Sequence, residues 1–96
     1  MNNLYLLDEN VRLVNDKLYL GDIHLFDCNS DSIILLNILI DARSKKTCLS
    51  IEEIIELIPN DKLSDSIKKN QKIIGNVVYY LNNCKILNKI NEKVVK

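Results

Sequence analysis

The chain has 96 residues, the size of one domain, and its 47% hydrophobic residues are enough to form a buried core. Its net charge is zero, with 13 basic and 13 acidic side chains, so it is not a uniformly basic nucleic-acid binder. No apolar run approaches the roughly 18 residues of a membrane span, and no signal peptide is visible, so we expect a cytoplasmic protein.

The first 27 residues predict an antiparallel β-meander of three or four strands. Short apolar segments at residues 4–7, 11–14, 17–20 and 23–26 alternate with turn-forming pairs such as Asn15-Asp16 and Gly21-Asp22. Such spacing is typical of hairpins with tight loops. His24 lies between two apolar residues of the last segment, which predicts that its side chain points to solvent.

A largely buried helix is predicted from about residue 30 to Arg43. Asn29, Ser30, Asp31 and Ser32 are all residues that cap helix starts, and residues 33–40 are apolar nearly all round. Residues 47–49 that follow could form a very short strand.

A second helix is predicted between Ser50 and Pro59. Ser50 and Glu53 have the spacing of a capping box, in which each side chain accepts a hydrogen bond from a free amide of the first turn. Pro59 ends the helix, and one face is predicted to be buried by Ile51, Ile54, Ile55 and Ile58.

A third helix is predicted over residues 65–83. At 100° per residue, one stripe is apolar and is formed by Ile67, Ile74, Val78 and Leu81. The opposite stripe carries lysine, amide and phenol groups, which can contact phosphates and base edges: Lys69, Lys72, Asn76, Tyr79, Tyr80 and Asn83. A polar outer face is also what any surface helix has.

Residues 85–96 favour a lysine-rich β-hairpin with a turn at Asn91-Glu92, although a frayed helical extension would also fit. The order of elements then predicts an α+β fold: a winged helix-turn-helix with an N-terminal antiparallel β-meander, three helices and a C-terminal β-hairpin wing. We expect a single domain over residues 1–96, with the meander in 1–27, the helical core in 28–84 and the wing in 85–96.

Charge is unevenly distributed along this domain. Residues 1–44 carry 3 basic and 7 acidic side chains, whereas residues 62–96 carry 8 lysines and 2 acidic residues. A basic end is compatible with a local nucleic-acid contact, and equally with a solvated tail that keeps a small domain soluble.

No residue pattern indicates an enzyme, a metal or a cofactor. Cys28, Cys48 and Cys84 are three cysteines without metal-like spacing, so we expect reduced thiols. Lys85 could lower the pKa of the neighbouring Cys84, but a bystander thiol is the simpler interpretation. Neither a nucleophile–base pair nor a glycine-rich phosphate loop is present in the sequence.

The pattern resembles the DNA-binding domain of the OmpR/PhoB family, and more closely the cytoplasmic domain of ToxR-like membrane-anchored transcription activators. The second-helix motif is matched by Ser50, Ile54 and Ile55, with Pro59 in the place of a tryptophan, and the apolar spacing of the recognition helix by Ile74, Val78 and Leu81. In departure from the family, Ser32 replaces a glutamate, Asn82 replaces an arginine, and the wing lacks its glycine turn.

The resemblance implies a bacterial transcription regulator, an activator, that binds double-stranded promoter DNA through the third helix and the wing. The candidate DNA-binding residues are Lys68, Lys69, Lys72, Asn76, Tyr79, Tyr80, Asn83, Lys85, Lys89 and Lys93. Because lysine attracts phosphate without the bidentate base contacts of arginine, we expect weak intrinsic affinity, raised by a homodimer, a partner regulator or tethering to a membrane. No small-molecule substrate is expected, and a membrane anchor would belong to a segment outside this chain, making it the cytoplasmic domain of an inner-membrane protein.

An alternative function is a winged-helix module for protein–protein interaction without direct DNA binding. Such a module would use the β-meander or the Tyr79-Tyr80 face to bind a protein partner. The neutral net charge and the absence of arginines from the third helix favour it.

Overall fold

A computed structural model describes residues 3–61, 64–84 and 86–91 and has an α+β fold. Its elements, in chain order, are β1 (Asn3–Leu7), β2 (Val11–Val14), β3 (Lys17–Leu20), β4 (Ile23–Asp27), α1 (Ser30–Ser44), α2 (Ile51–Leu57), α3 (Asp65–Lys69), α4 (Lys72–Asn83) and β5 (Leu87–Asn91).

The predicted meander is confirmed for β2, β3 and β4, which form a three-stranded antiparallel sheet in that order. Both connections are two-residue loops. Asn15 and Gly21 have positive φ angles of 58° and 62°, a backbone conformation that asparagine and glycine adopt more readily than other residues.

The N-terminal strand β1 does not join this meander. It pairs with β5 in antiparallel fashion, with Tyr5 opposite Lys89, and forms an isolated bridge to Leu49. Asp8 turns the chain away from β1, since its side chain accepts from the backbone N–H of Asn10 and its carbonyl accepts from that of Val11. The described residues therefore form two separate sheets.

Of the predicted C-terminal hairpin, only the first strand lies within the described residues, so the hairpin itself stays a prediction. Leu87–Asn91 is one strand whose partner is the N-terminal strand, and the predicted turn residue Asn91 lies opposite Asn3. The backbone N–H of Asp8 also donates to the carbonyl of Ile86. The pairing buries apolar residues of both strands: Leu7 of β1 and the opposite Leu87 of β5 are both in the core. Residues 85 and 92–96 lie outside the described residues.

The starts of the first two helices are confirmed. Asn29 caps α1, its side chain accepting from the backbone N–H of Ser32 at 2.9 Å. Ser50 and Glu53 form the predicted capping box at the start of α2, with distances of 2.8 and 3.2 Å. The short strand predicted at residues 47–49 is reduced to the single bridge at Leu49.

The predicted third helix is instead two helices, so the described residues contain four helices rather than three. The chain bends between α3 and α4, where Asn70 has φ −136° and ψ 84°. The Asn70 side chain accepts from the backbone N–H of Lys72, and such competition with helical hydrogen bonds is a common way for asparagine to interrupt a helix.

The core lies between the helices and the two sheets. The predicted apolar stripe is buried throughout, from Ile67 on α3 to Leu81 on α4. It packs with α1, which contributes Leu35, Leu36 and Leu39, and with Ile54 of α2. Helices α1, α2 and α4 contact one another, and α1 also contacts β1.

Candidate functional site

The predicted contact residues on α4 share one exposed face of the helix. Lys72, Asn76, Tyr79, Tyr80 and Asn83 are all exposed, and α4 carries no acidic residue. The two tyrosines are the most exposed large hydrophobic side chains of α4, at 69% and 52%. The exposure predicted for this stripe is thus confirmed for α4.

The two candidate lysines on α3 are not continuous with that face. Lys68 is partly buried and donates to the side chain of Asn60, and Lys69 forms an ion pair with Asp65 at 3.7 Å. The bend between α3 and α4 separates these lysines from the α4 face.

Of the three lysines predicted for the wing, only Lys89 lies among the described residues, in a strand that contacts α4. Lys89 lies in β5, opposite Tyr5 in the register of the pair. Lys85 and Lys93 lie outside the described residues.

The two edge strands of the three-stranded sheet, β2 and β4, differ in the groups that contact their backbones. At β2, the partly buried Arg43 of α1 donates from Nη1 to the carbonyls of Asp8 and Val11, at 2.6 and 2.8 Å. Among the described residues, β4 forms backbone pairs with β3 alone. The first residue of β4, Ile23, is 66% exposed. Arg43 thus binds the backbone of the β2 edge at Val11, whereas the β4 edge is open as far as the described residues show.

The open edge of β4 lies next to α4. Phe26 of β4 contacts the ring of Tyr80 edge-to-face, with 5.1 Å between ring centroids. A pocket of about 160 Å³, here named the β4–α4 pocket, opens at this contact. Its apolar walls are Phe26, Leu36, Val77, Tyr80 and Leu81, and Ser32 and Asn76 are its polar members.

The outer face of the same sheet carries a small polar cluster. The side chains of His24 and Lys17 both donate to Asp27 Oδ1, at 2.9 and 3.3 Å. Both hydrogen bonds lower the pKa of the Asp27 carboxyl, and the bond from His24 has the larger effect. The hydrogen bond to Asp27 in turn raises the pKa of Lys17. Tyr19 packs edge-on against His24, whose predicted exposure is confirmed.

A larger cleft of about 470 Å³ lies elsewhere, between α1 and the end of α2. Its apolar walls include Ile38 and Leu57, and the Asp41–Lys45 ion pair is at its rim. Both charges of the rim are paired with each other, and no described β-strand edge opens into this cleft. The β4–α4 pocket is smaller, but it adjoins both an open strand edge and the exposed aromatic of α4.

Of the residues at this site, Tyr80 and Asn76 were predicted from the sequence, and Ile23, Phe26 and Val77 were not. The signal available for Phe26 was its place in the last strand of a meander, which is an edge unless another element covers it. Nothing in the sequence indicated that Arg43 would bind the opposite edge.

The described cysteines 28, 48 and 84 are free and partly buried, and burial is the main cause that raises the pKa of Cys28. Among the described residues, no group of three or more His, Cys, Asp or Glu side chains could hold a metal ion. In the same part of the chain, every helix is too short or too polar to cross a membrane.

Comparison of the whole chain with protein-family models, curated proteins and solved structures gave no significant match.

Proposed function

We propose that this chain is a protein-interaction module that binds an extended segment of a partner protein along the open edge of β4. The observation that carries the proposal is a difference between the two edge strands, each of which pairs with β3: Arg43 donates to the carbonyl of Val11 in β2 and to that of Asp8 just before it, whereas among the described residues the backbone of β4 has hydrogen bonds to β3 alone.

The physical basis is the hydrogen-bonding capacity of an edge strand. About half of the backbone N–H and C=O groups of such a strand point away from its sheet. Proteins usually blunt open edges, since these can recruit other chains, and many recognition domains use them to add a peptide as a further strand. Main-chain hydrogen bonds then supply affinity, and adjacent pockets supply specificity.

The side chains around β4 support the same function. Ile23 and Tyr80 are both more than half exposed, at the strand and at the neighbouring helix. The β4–α4 pocket is lined by Phe26 of β4 together with residues of α1 and α4. An apolar surface beside a free strand edge is suited to a partner that offers both backbone and side-chain contacts.

The experiment is selection from a random library of peptides of about 12 residues, followed by amide chemical-shift mapping with a selected peptide. Shifts are expected for β4 and for the side of α4 that carries Asn76 and Tyr80. Amides of β2 are expected to change little. Failure to select any peptide, or shifts that avoid β4, would overturn the proposal.

As a second candidate function, we propose a winged helix-turn-helix transcription regulator of the OmpR/PhoB type that binds duplex DNA. The exposed face of α4, with Lys72, Asn76 and Asn83 and no acidic residue on the helix, favours it. The mutual packing of α1, α2 and α4 is compatible with such a core. Against it stand the bend at Asn70, the absence of arginine from α4, and the pairing of β5 with the N-terminal strand.

The DNA hypothesis is tested by fluorescence anisotropy with a labelled duplex at about 50 and 200 mM salt. Binding that weakens steeply with salt, and that is reduced by Lys72→Gln, would support it. Undetectable binding at the lower salt concentration would reject it.

Tyr79→Ala and Tyr80→Ala then separate the two functions. If α4 enters a DNA groove, both exposed tyrosines lie on the contacting face and both changes should weaken binding. If β4 binds a peptide, only the Tyr80 change should do so, because only Tyr80 contacts Phe26.

A further inference from the structure

The β4–α4 pocket has the dimensions and chemistry of a receptor for one side chain. It is a pocket open to solvent, of about 160 Å³, with mainly aliphatic and aromatic walls from β4, α1 and α4. A cavity of about 150 Å³ with such walls holds a single benzene molecule. The pocket therefore has room for one leucine, isoleucine, methionine or phenylalanine side chain.

Strand geometry determines which residue of a bound segment would reach this pocket. Directly opposite residues of neighbouring strands point to the same face of a sheet. Phe26 lies opposite the fully buried Leu18 in the β3–β4 register, and its ring contacts Tyr80 of α4. A residue paired with Phe26 on an added strand would therefore point toward α4, into the pocket.

We infer that the β4–α4 pocket selects partner segments by one large apolar side chain, placed opposite Phe26. The inference rests on the proposed function. The residues on either side of this anchor point to the opposite face of the sheet, where the His24, Asp27 and Lys17 cluster is exposed to solvent. The recognised pattern is thus a single apolar anchor with a polar residue tolerated on each side.

Tyr80 forms the exposed wall of the pocket. Its side chain is half-exposed, and its edge-to-face contact with Phe26 holds the ring beside the opening. An anchor side chain would cover this ring and bury apolar area on both partners. Tyr79, the next residue along α4, does not line the pocket and is the matched control.

The test uses the library-selected peptides, resynthesised with alanine at each position in turn, and measures their affinities by fluorescence anisotropy. Replacing the anchor is expected to lower affinity about tenfold or more, and replacing either neighbour much less. Tyr80→Ala is expected to cause a similar loss, and Tyr79→Ala to leave affinity within about twofold of the parent. Asn76→Trp, which places a bulky ring at the polar side of the pocket without altering a buried residue, is expected to weaken binding as well.

Two results would overturn this inference and leave the proposed function standing. One is a set of peptides that shift the β4 amides but share no large apolar position. The other is an equal loss of affinity for Tyr79→Ala and Tyr80→Ala, with both variants folded by circular dichroism. Peptides that bind away from β4 would overturn the inference together with the proposed function.

Discussion

The two outer edges of the three-stranded sheet differ more than any other pair of regions in this molecule. The β2 edge begins at the fully buried Val11 and is tied to α1 by Arg43. The β4 edge begins at the exposed Ile23 and lies beside the exposed Tyr80. The difference suggests that residues at β2 serve mainly stability and residues at β4 mainly binding.

The largest expected effect comes from Arg43→Ala at the β2 edge. Two carbonyls would lose a charged donor in a partly buried setting, so we expect the free energy of unfolding to fall by about 2–3 kcal/mol. Urea unfolding followed by circular dichroism measures this. Arg12→Ala is the control, because Arg12 donates to the Gly21 carbonyl at an exposed position and should cost less than about 1 kcal/mol. Equal losses for both variants would contradict the assignment of a special role to Arg43.

The next test compares the first apolar residue of each edge strand. Val11→Ala removes buried methyl groups and leaves a cavity, so we expect it to destabilise the fold by about 2 kcal/mol. Ile23→Ala, at an exposed position, should change stability by less than about 0.5 kcal/mol. Thermal unfolding of both variants checks the prediction, and similar shifts in melting temperature would remove the contrast between the edges.

A smaller effect is expected for the aromatic contact at the β4 edge. Tyr80→Ala removes the edge-to-face pair with Phe26, which we expect to be worth about 1 kcal/mol. Tyr79→Ala, at a more exposed position without an aromatic partner among the described residues, should lie within about 0.5 kcal/mol of the parent. Denaturant unfolding of the two variants measures both changes in stability. A larger loss of stability for Tyr79→Ala than for Tyr80→Ala would contradict the packing described.

The smallest effect concerns the exposed cluster on the outer face of the sheet. Hydrogen bonds from His24 and Lys17 hold the pKa of Asp27 below its usual value of 3.8. The stabilisation from Asp27 should therefore be present above about pH 4 and be lost as pH falls through the lowered pKa. The pKa of Lys17 is raised above 10.5, so the contribution of Lys17 to stability should be lost only as pH rises through that higher value.

The measurement for this cluster is the pH dependence of urea unfolding for the parent and Asp27→Asn. A slight destabilisation of the variant is expected near neutral pH and should disappear in strong acid. The same difference at every pH would show that the carboxylate charge is not its source.

Local features of the sequence were sufficient to predict several elements of this fold. The capping box at Ser50 and Glu53 formed as expected because both partners lie within one helical turn. The two hairpin loops at Asn15 and Gly21 follow from residues that accept positive φ. The apolar spacing from Ile67 to Leu81 correctly identified a buried stripe, although not the bend within it.

The open edge of β4 and its pocket could not be predicted in this way. Periodicity placed Tyr80 on an exposed helix face, but its contact with Phe26 depends on how α4 packs against a sheet more than 50 positions earlier in the chain. For the same reason the sequence could not show which edge Arg43 would bind.

The sequence by itself determined the local features of the fold: where strands turn, where helices begin, and which side of each element is apolar. These depend on backbone preferences and hydrogen bonds between residues a few positions apart. Tertiary structure alone decided that β1 leaves the meander to pair with β5, that Arg43 binds the β2 edge at Val11, and that no other described strand pairs with β4 beside Tyr80. Those choices depend on which distant apolar surfaces pack together, and many pairings satisfy the same local pattern.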